Sequence, residues 1–184
     1  MLYSKVMSVH SSSMDKIRIL LVDDHTILRN GIRALLEREK DMVVIGEAED
    51  GRAAVKLAGE LSPDIVLMDI AMPLLNGLEA TLQIKRSHPC VKVLILSMHE
   101  NEEYIRQALA NGAMGYIVKD AAANELLGAI RAVYRDEAVL SPAITRLVIE
   151  DYLRWGDLNQ EQLSNGLSLR EREVLQLIAE GYTN

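Results

Sequence analysis

The sequence predicts an α/β fold, a doubly wound open parallel sheet with helices on both faces. Short runs rich in Ile, Leu and Val alternate with stretches whose apolar residues recur at helical spacing. Five such pairs follow one another across short loops, the pattern of a parallel sheet built with crossover helices. Several runs stop abruptly at an acidic or polar residue, so polar groups gather at one end of the strands.

IRILLV (17–22) is the first strand and gives way to Asp23 and Asp24. Over 26–39, Ile27, Leu28, Ile32, Leu35 and Leu36 stand at helical spacing. MVVIGEA (42–48) is the second strand. GRAAVKLAGEL (51–61) is a short amphipathic helix that stops before Pro63, since the residue ahead of a proline is steered away from helical backbone. DIVLM (64–68) is the third strand and 78–87 the third helix. VKVLILS (91–97) is the fourth strand, followed by a helix over 101–110 that ends near Asn111 and Gly112. MGYIV (114–118) and a helix over 122–134 complete the series. Right-handed crossovers leave few ways to wind five strands. The order 2-1-3-4-5 is that of flavodoxin-like sheets and is adopted from that class.

Beyond the fifth helix, Ser141 and Pro142 open another helix, about 141–155, with serine as N-cap and proline at the first helical position. Ile144, Val148, Tyr152 and Trp155 form one apolar stripe on it, suited to packing on the protein's own surface or on a second copy. GDLNQEQLSNG (156–166) reads as a linker. LSLREREVLQLIAEGYTN (167–184) opens with Ser168 and Glu171 in capping-box spacing, and its helix is expected to end at Gly181.

Composition narrows the function classes. The chain has 184 residues, 49% apolar and 26% charged, enough for one ordinary globular domain and a small appendage. Phe is absent and aromatics are 4%, so the core must be aliphatic. A net charge of −7 argues against binding nucleic acid by bulk electrostatics, because phosphate contacts need Lys and Arg. A local basic face stays open. Cys90 is the only cysteine, which rules out an intrachain disulfide and fits a reducing cytoplasm. Residues 1–16 are expected to form a flexible polar tail, with Met14 a candidate native start. Neither a signal-peptide core nor an apolar run of membrane-spanning length occurs, so a cytoplasmic location without membrane contact is expected.

Ligands of doubly wound sheets bind outside the carboxyl ends of the strands. Those ends carry Asp23 and Asp24 after strand 1, Asp69 at the end of strand 3, Ser97 after strand 4 and Lys119 after strand 5. Three carboxylates within about 5 Å would repel by roughly 3 kcal/mol per pair at an effective dielectric near 20. Either a pKa rises or a divalent cation is held there. Mg²⁺ fits such a site, because it takes oxygen ligands and works with one or two carboxylates plus a phosphate. An Asp69 oxygen left free could attack an activated phosphoryl group, with Lys119 neutralising charge and Ser97 bonding a phosphoryl oxygen. Asp23 or Asp24 could also cap the first helix. His25 and His99 lie near the same rim, where a cation that prefers oxygen gives them no expected metal role.

These motifs resemble the receiver domains of response regulators over about residues 17–135. VDDH carries the acidic pair, MDIAMPLLNG the phospho-acceptor Asp69, ILSMH the switch hydroxyl Ser97, and GYIVKD the switch aromatic Tyr116 with Lys119. The sequence departs from many receivers in placing Asp120, where proline is common, after Lys119. The final stretch, with its Arg-Glu-Arg-Glu segment, resembles the first helix of the helix-turn-helix domain of NarL/FixJ (LuxR-type) regulators.

The resemblance implies a tail over 1–16, a receiver over 17–136, a linker over 137–166 and a partial, truncated all-α DNA-binding domain over 167–184. It implies that a sensor histidine kinase phosphorylates Asp69, with Mg²⁺ on Asp23, Asp24 and Asp69. Ser97 and Tyr116 then rearrange, and a homodimer controls transcription. The chain would be no enzyme, but a phospho-acceptor that takes part in its own phosphorylation and dephosphorylation. DNA binding is expected of the full-length protein and not of this truncated chain.

Two rival readings are weaker. A phosphohydrolase of the haloacid-dehalogenase type carries its aspartyl nucleophile in an Asp-x-Asp pattern after strand 1, whereas strand 1 here ends in Asp23-Asp24-His25. A receiver-like interaction module that no longer uses phosphate would not need five intact site residues.

Overall fold

The computed structural model describes residues 16–98, 101–120, 123–141 and 144–146. Contacts divide the chain into two units after Ser141, and the first carries the sheet. Its elements alternate strictly. They are β1 (Ile17–Val22), α1 (Thr26–Leu36), β2 (Met42–Ala48), α2 (Gly51–Leu61), β3 (Ile65–Asp69), α3 (Gly77–Ser87), β4 (Lys92–Ser97), α4 (Glu102–Ala110), β5 (Gly115–Val118), α5 (Ala123–Tyr134) and β6 (Val139–Leu140).

All paired strands are parallel, in the order β2-β1-β3-β4-β5-β6. The expected winding holds with one strand more than the five read from the sequence. The sixth, inside the stretch expected as linker, has two residues, too few for an alternating pattern to show. It approaches β5 closely because Gly115 has no side chain: a Cβ there would stand 2.5 Å from the Val139 carbonyl oxygen. Tyr116 consequently lies between two neighbours, paired with Ile95 and Leu140, instead of on a sheet edge.

Period-two alternation sends the strands' side chains to two cores. Ile19, Leu21, Ile65, Leu67, Leu94, Leu96 and Ile117 face α1 and α5, where Ile32, Leu36, Leu126, Ile130 and Val133 meet them. The opposite face is covered by α2, α3 and α4. Both faces are therefore buried, and β3 reads as a continuous apolar run over its first four residues, Ile65 to Met68, with the equally buried Asp69 closing it. Each fully buried Ile or Leu contributes about 1.5–3 kcal/mol of apolar transfer.

Helix boundaries follow the caps. Asp50 accepts from the backbone N–H groups of Arg52 and Ala53, Asn76 from Glu79, and Asn101 from Glu103, so α2, α3 and α4 start one residue later. The N-cap of α1 is His25, which makes no side-chain cap bond, so neither Asp23 nor Asp24 caps that helix. Asp23 Oδ1 instead accepts from the His25 N–H at 2.8 Å. Within α1 the buried face is Arg29, Ile32 and Leu36, and Ile27 is 90% exposed. Arg29, which the apolar spacing left off the stripe, thus lies on the buried face, and Ile27, which the spacing put there, does not.

Residues 144–146 are helical and Ile144 is buried. The rest of the apolar stripe (Val148, Tyr152 and Trp155), the linker over 156–166, the segment over 167–184 with its expected helix, and residues 1–15 of the tail lie outside the described residues, as does His99. Among the described residues, no helix is long and apolar enough to cross a membrane.

Candidate functional site

The carboxyl ends of β1, β3, β4 and β5 converge on one rim, and the local sequence explains how. Asp69 is the last residue of β3 and pairs in register with Leu96, one residue before Ser97 ends β4. Immediately beyond β5, the Lys119 N–H donates to the Ser97 carbonyl at 2.8 Å, which ties the start of the following loop to the end of β4. The chain leaves Asp69 through a tight return: the Gly77 N–H donates to the Ile70 carbonyl. Only glycine fits at this return, since a Cβ would stand 1.9 Å from the Asp69 carbonyl oxygen.

The side chains meet accordingly. Lys119 Nζ lies 2.7 Å from Asp23 Oδ2 and 3.0 Å from Asp69 Oδ2, with all three side chains almost fully buried. Asp69 Oδ1 accepts from the Ile70 N–H at 2.8 Å. Among the described residues, neither Oδ2 has a geometrically formed hydrogen bond, so the ammonium holds both by charge. Asp24 is more open, and its Oδ1 lies 2.8 Å from His25 Nδ1. Ligand atoms of Asp23, Asp24, His25 and Asp69 all fall within 4.8 Å of one another. His25 thus belongs to the cluster by distance, although its ring is largely exposed. Ser97 is buried beside this group in the chain order of the rim, and Tyr116 is fully buried three residues before Lys119.

The electrostatics are unbalanced. Burial pushes the Asp69 carboxyl above the ordinary carboxylate range. Lys119 pulls it down, Asp23 adds repulsion, the Ile70 N–H opposes weakly, and burial wins. One ammonium faces two buried carboxylates and a third, more exposed one close by. Such a group holds a surplus of negative charge and two under-satisfied buried oxygens, and both features fit a hard divalent cation. The donor set of three carboxylates favours Mg²⁺ over softer metals.

Sequence reasoning missed one residue, Arg29. It is 7% exposed and donates to the Asp23 backbone carbonyl, to Glu47 and to Glu49. The signal was present: a charged residue three and seven positions before Ile32 and Leu36 on one helix face, with two glutamates at the end of β2.

Comparison with known proteins agrees with this fold. Residues 19–131 match the family model described as the response regulator receiver domain. The chain is 37% identical over 183 residues to the transcriptional regulatory protein DegU of Brevibacillus brevis, covering 92% of this chain and 78% of that protein. It is 38% identical over 173 residues to the nitrate/nitrite response regulator protein NarL of Escherichia coli K12, covering 94% and 80%. A crystal structure of a LuxR-family two-component response regulator from Aurantimonas sp. SI85-9A1 superposes with a TM-score of 0.72 at 37% identity, over 76% of this chain and 99% of that one. Response regulators of this kind are not enzymes in the usual sense; they work with sensor kinases and bind DNA. An acidic strand-end cluster on a parallel sheet of order β2-β1-β3-β4-β5-β6, together with these matches, makes the chain a member of the two-component response regulators of the NarL/LuxR type, a family that controls transcription.

Proposed function

We propose that Asp69 accepts a phosphoryl group from a sensor histidine kinase and that the modified chain regulates transcription as a homodimer in the cytoplasm. The observation that carries this reading is the buried Lys119 ammonium between the Asp23 and Asp69 carboxylates. In this reading Asp23, Asp24 and Asp69 hold Mg²⁺. When bound, the ion supplies positive charge for the oxygens of the transferring group.

The chain's own residues do the rest. An Asp69 carboxylate oxygen forms the new bond to phosphorus, and the phosphorus–nitrogen bond of the donor breaks, with the nitrogen keeping the pair and gaining a proton. Lys119 neutralises charge on the phosphoryl oxygens. The Ile70 N–H keeps the other Asp69 oxygen oriented. Ser97, at the end of β4, is the hydroxyl that bonds the new group, and Tyr116 is the aromatic that responds. A phosphoaspartate adds roughly two negative charges, enough to bias a loop with two arrangements. Paired DNA half-sites favour a symmetric dimer of the active form.

The receiver unit in this reading runs through Ser141, because β6 pairs with β5. The linker and the LuxR-type DNA-binding segment follow it. The test is labelling with a small phosphodonor, read by intact mass. One phosphoryl group is expected to appear with Mg²⁺, and none when a chelator is present from the start. Labelling that ignores Mg²⁺, or sustained multiple turnover of small phosphate esters, would contradict the proposal.

A further inference from the structure

The geometry points to Arg29 as a positioning residue for the cation: it fixes the backbone that carries Asp23 and Asp24. The inference rests on the metal assignment of the preceding section. Arg29 lies on the buried face of α1, and each of its three guanidinium nitrogens donates to a different acceptor. Nη1 donates to the Asp23 carbonyl at 2.5 Å, Nε to Glu47 at 2.9 Å, and Nη2 to Glu49 at 2.9 Å. The β1–α1 turn is thereby tied to β2 and to the β2–α2 loop by one planar group. The guanidinium fork is pre-organised for such multiple bonding, and a lysine ammonium cannot reproduce it.

Charge does not account for the arrangement. Two glutamates already pair with Arg29, so it brings little net positive charge to compete with a cation at Asp23. What it supplies is position: the Asp23 carbonyl belongs to the peptide that joins the two candidate ligands. Outer groups that orient ligands typically cost 10–100-fold in metal affinity when removed.

Arg33, one turn further along α1, provides the control. It pairs with Glu37 and with the same Glu47, but it makes no bond to the β1–α1 turn. Loss of either arginine weakens the α1–β2 network, and only loss of Arg29 releases the ligand-bearing peptide.

Titration calorimetry with Mg²⁺, alongside thermal unfolding, separates these effects. In Arg29→Met the Mg²⁺ dissociation constant is expected to rise about tenfold or more. In Arg33→Met it should stay within about twofold, while both variants unfold at lower temperature. Arg29→Lys, which keeps the stem and the charge, should shift affinity in the same direction and covers a methionine variant that fails to fold. Unchanged affinity in Arg29→Met or Arg29→Lys, with normal binding by the unsubstituted chain, would overturn this inference alone. Absence of Mg²⁺ binding by the unsubstituted chain would overturn both the inference and the metal assignment.

Discussion

Lys119→Met costs the metal-free protein on the order of 3 kcal/mol, within the range for removing one partner of a buried ion pair. The substitution leaves the Asp23 and Asp69 carboxylates buried, close together and without their shared ammonium. The system has one escape. Asp69 already sits above the ordinary carboxylate range through burial, and without Lys119 it takes up a proton more readily still. The loss is therefore smaller at acid pH than at neutral pH. Adding Asp69→Asn to the Lys119→Met background should recover much of the stability, and so should Mg²⁺, which replaces the missing positive charge. Denaturant unfolding of the single and double variants checks this. A Lys119→Met protein as stable as the unsubstituted chain would mean that the buried triad is not held by charge.

Asp69→Asn has two effects of opposite appearance. Phosphoryl labelling disappears, since the amide is no nucleophile, whereas the metal-free protein gains stability at neutral pH. The gain is on the order of 1 kcal/mol, the low end of what an uncompensated buried polar group costs. The sign follows from linkage. Because the folded-state pKa of Asp69 is raised, the native state holds its proton more tightly than the unfolded chain. Native stability then falls as pH rises from the ordinary aspartate value near 3.9 through the raised one. The variant lacks this slope, so the two proteins converge below that window and separate above it. Unfolding curves across pH in the presence of a chelator measure the gap, and a variant less stable at neutral pH would refute the assignment of burial as the dominant cause.

Much of this was legible in the sequence because strand ends are sharp. IRILLV stops at Asp23, and IVLM stops at Asp69, and a carboxylate closing an apolar run marks the rim where ligands bind. Lys119 was legible only by its position after the fifth run, and the 2.7 and 3.0 Å contacts give it meaning. What escaped has physical causes. A two-residue β6 is too short to carry a period, and its pairing depends on a close approach at Gly115. Ile27 was assigned to the apolar stripe because spacing alone cannot tell that Arg29 takes the buried face. An arginine is stable there only because Glu47 and Glu49 arrive from β2 and the loop after it, which is a tertiary fact. In the five-strand order Tyr116 falls on the last strand, and only the pairing of β6 beyond it takes it off the edge.

The convergence of distant segments on one reactive carboxylate is tested most directly by a crystal structure of the chain grown with Mg²⁺ and beryllofluoride, a phosphoryl mimic. The beryllium is expected bonded to an Asp69 carboxylate oxygen, with the cation among Asp23, Asp24 and Asp69, and with Lys119 and Ser97 on the fluorines. Beryllofluoride on another carboxylate, or a cation held away from Asp23 and Asp24, would contradict it.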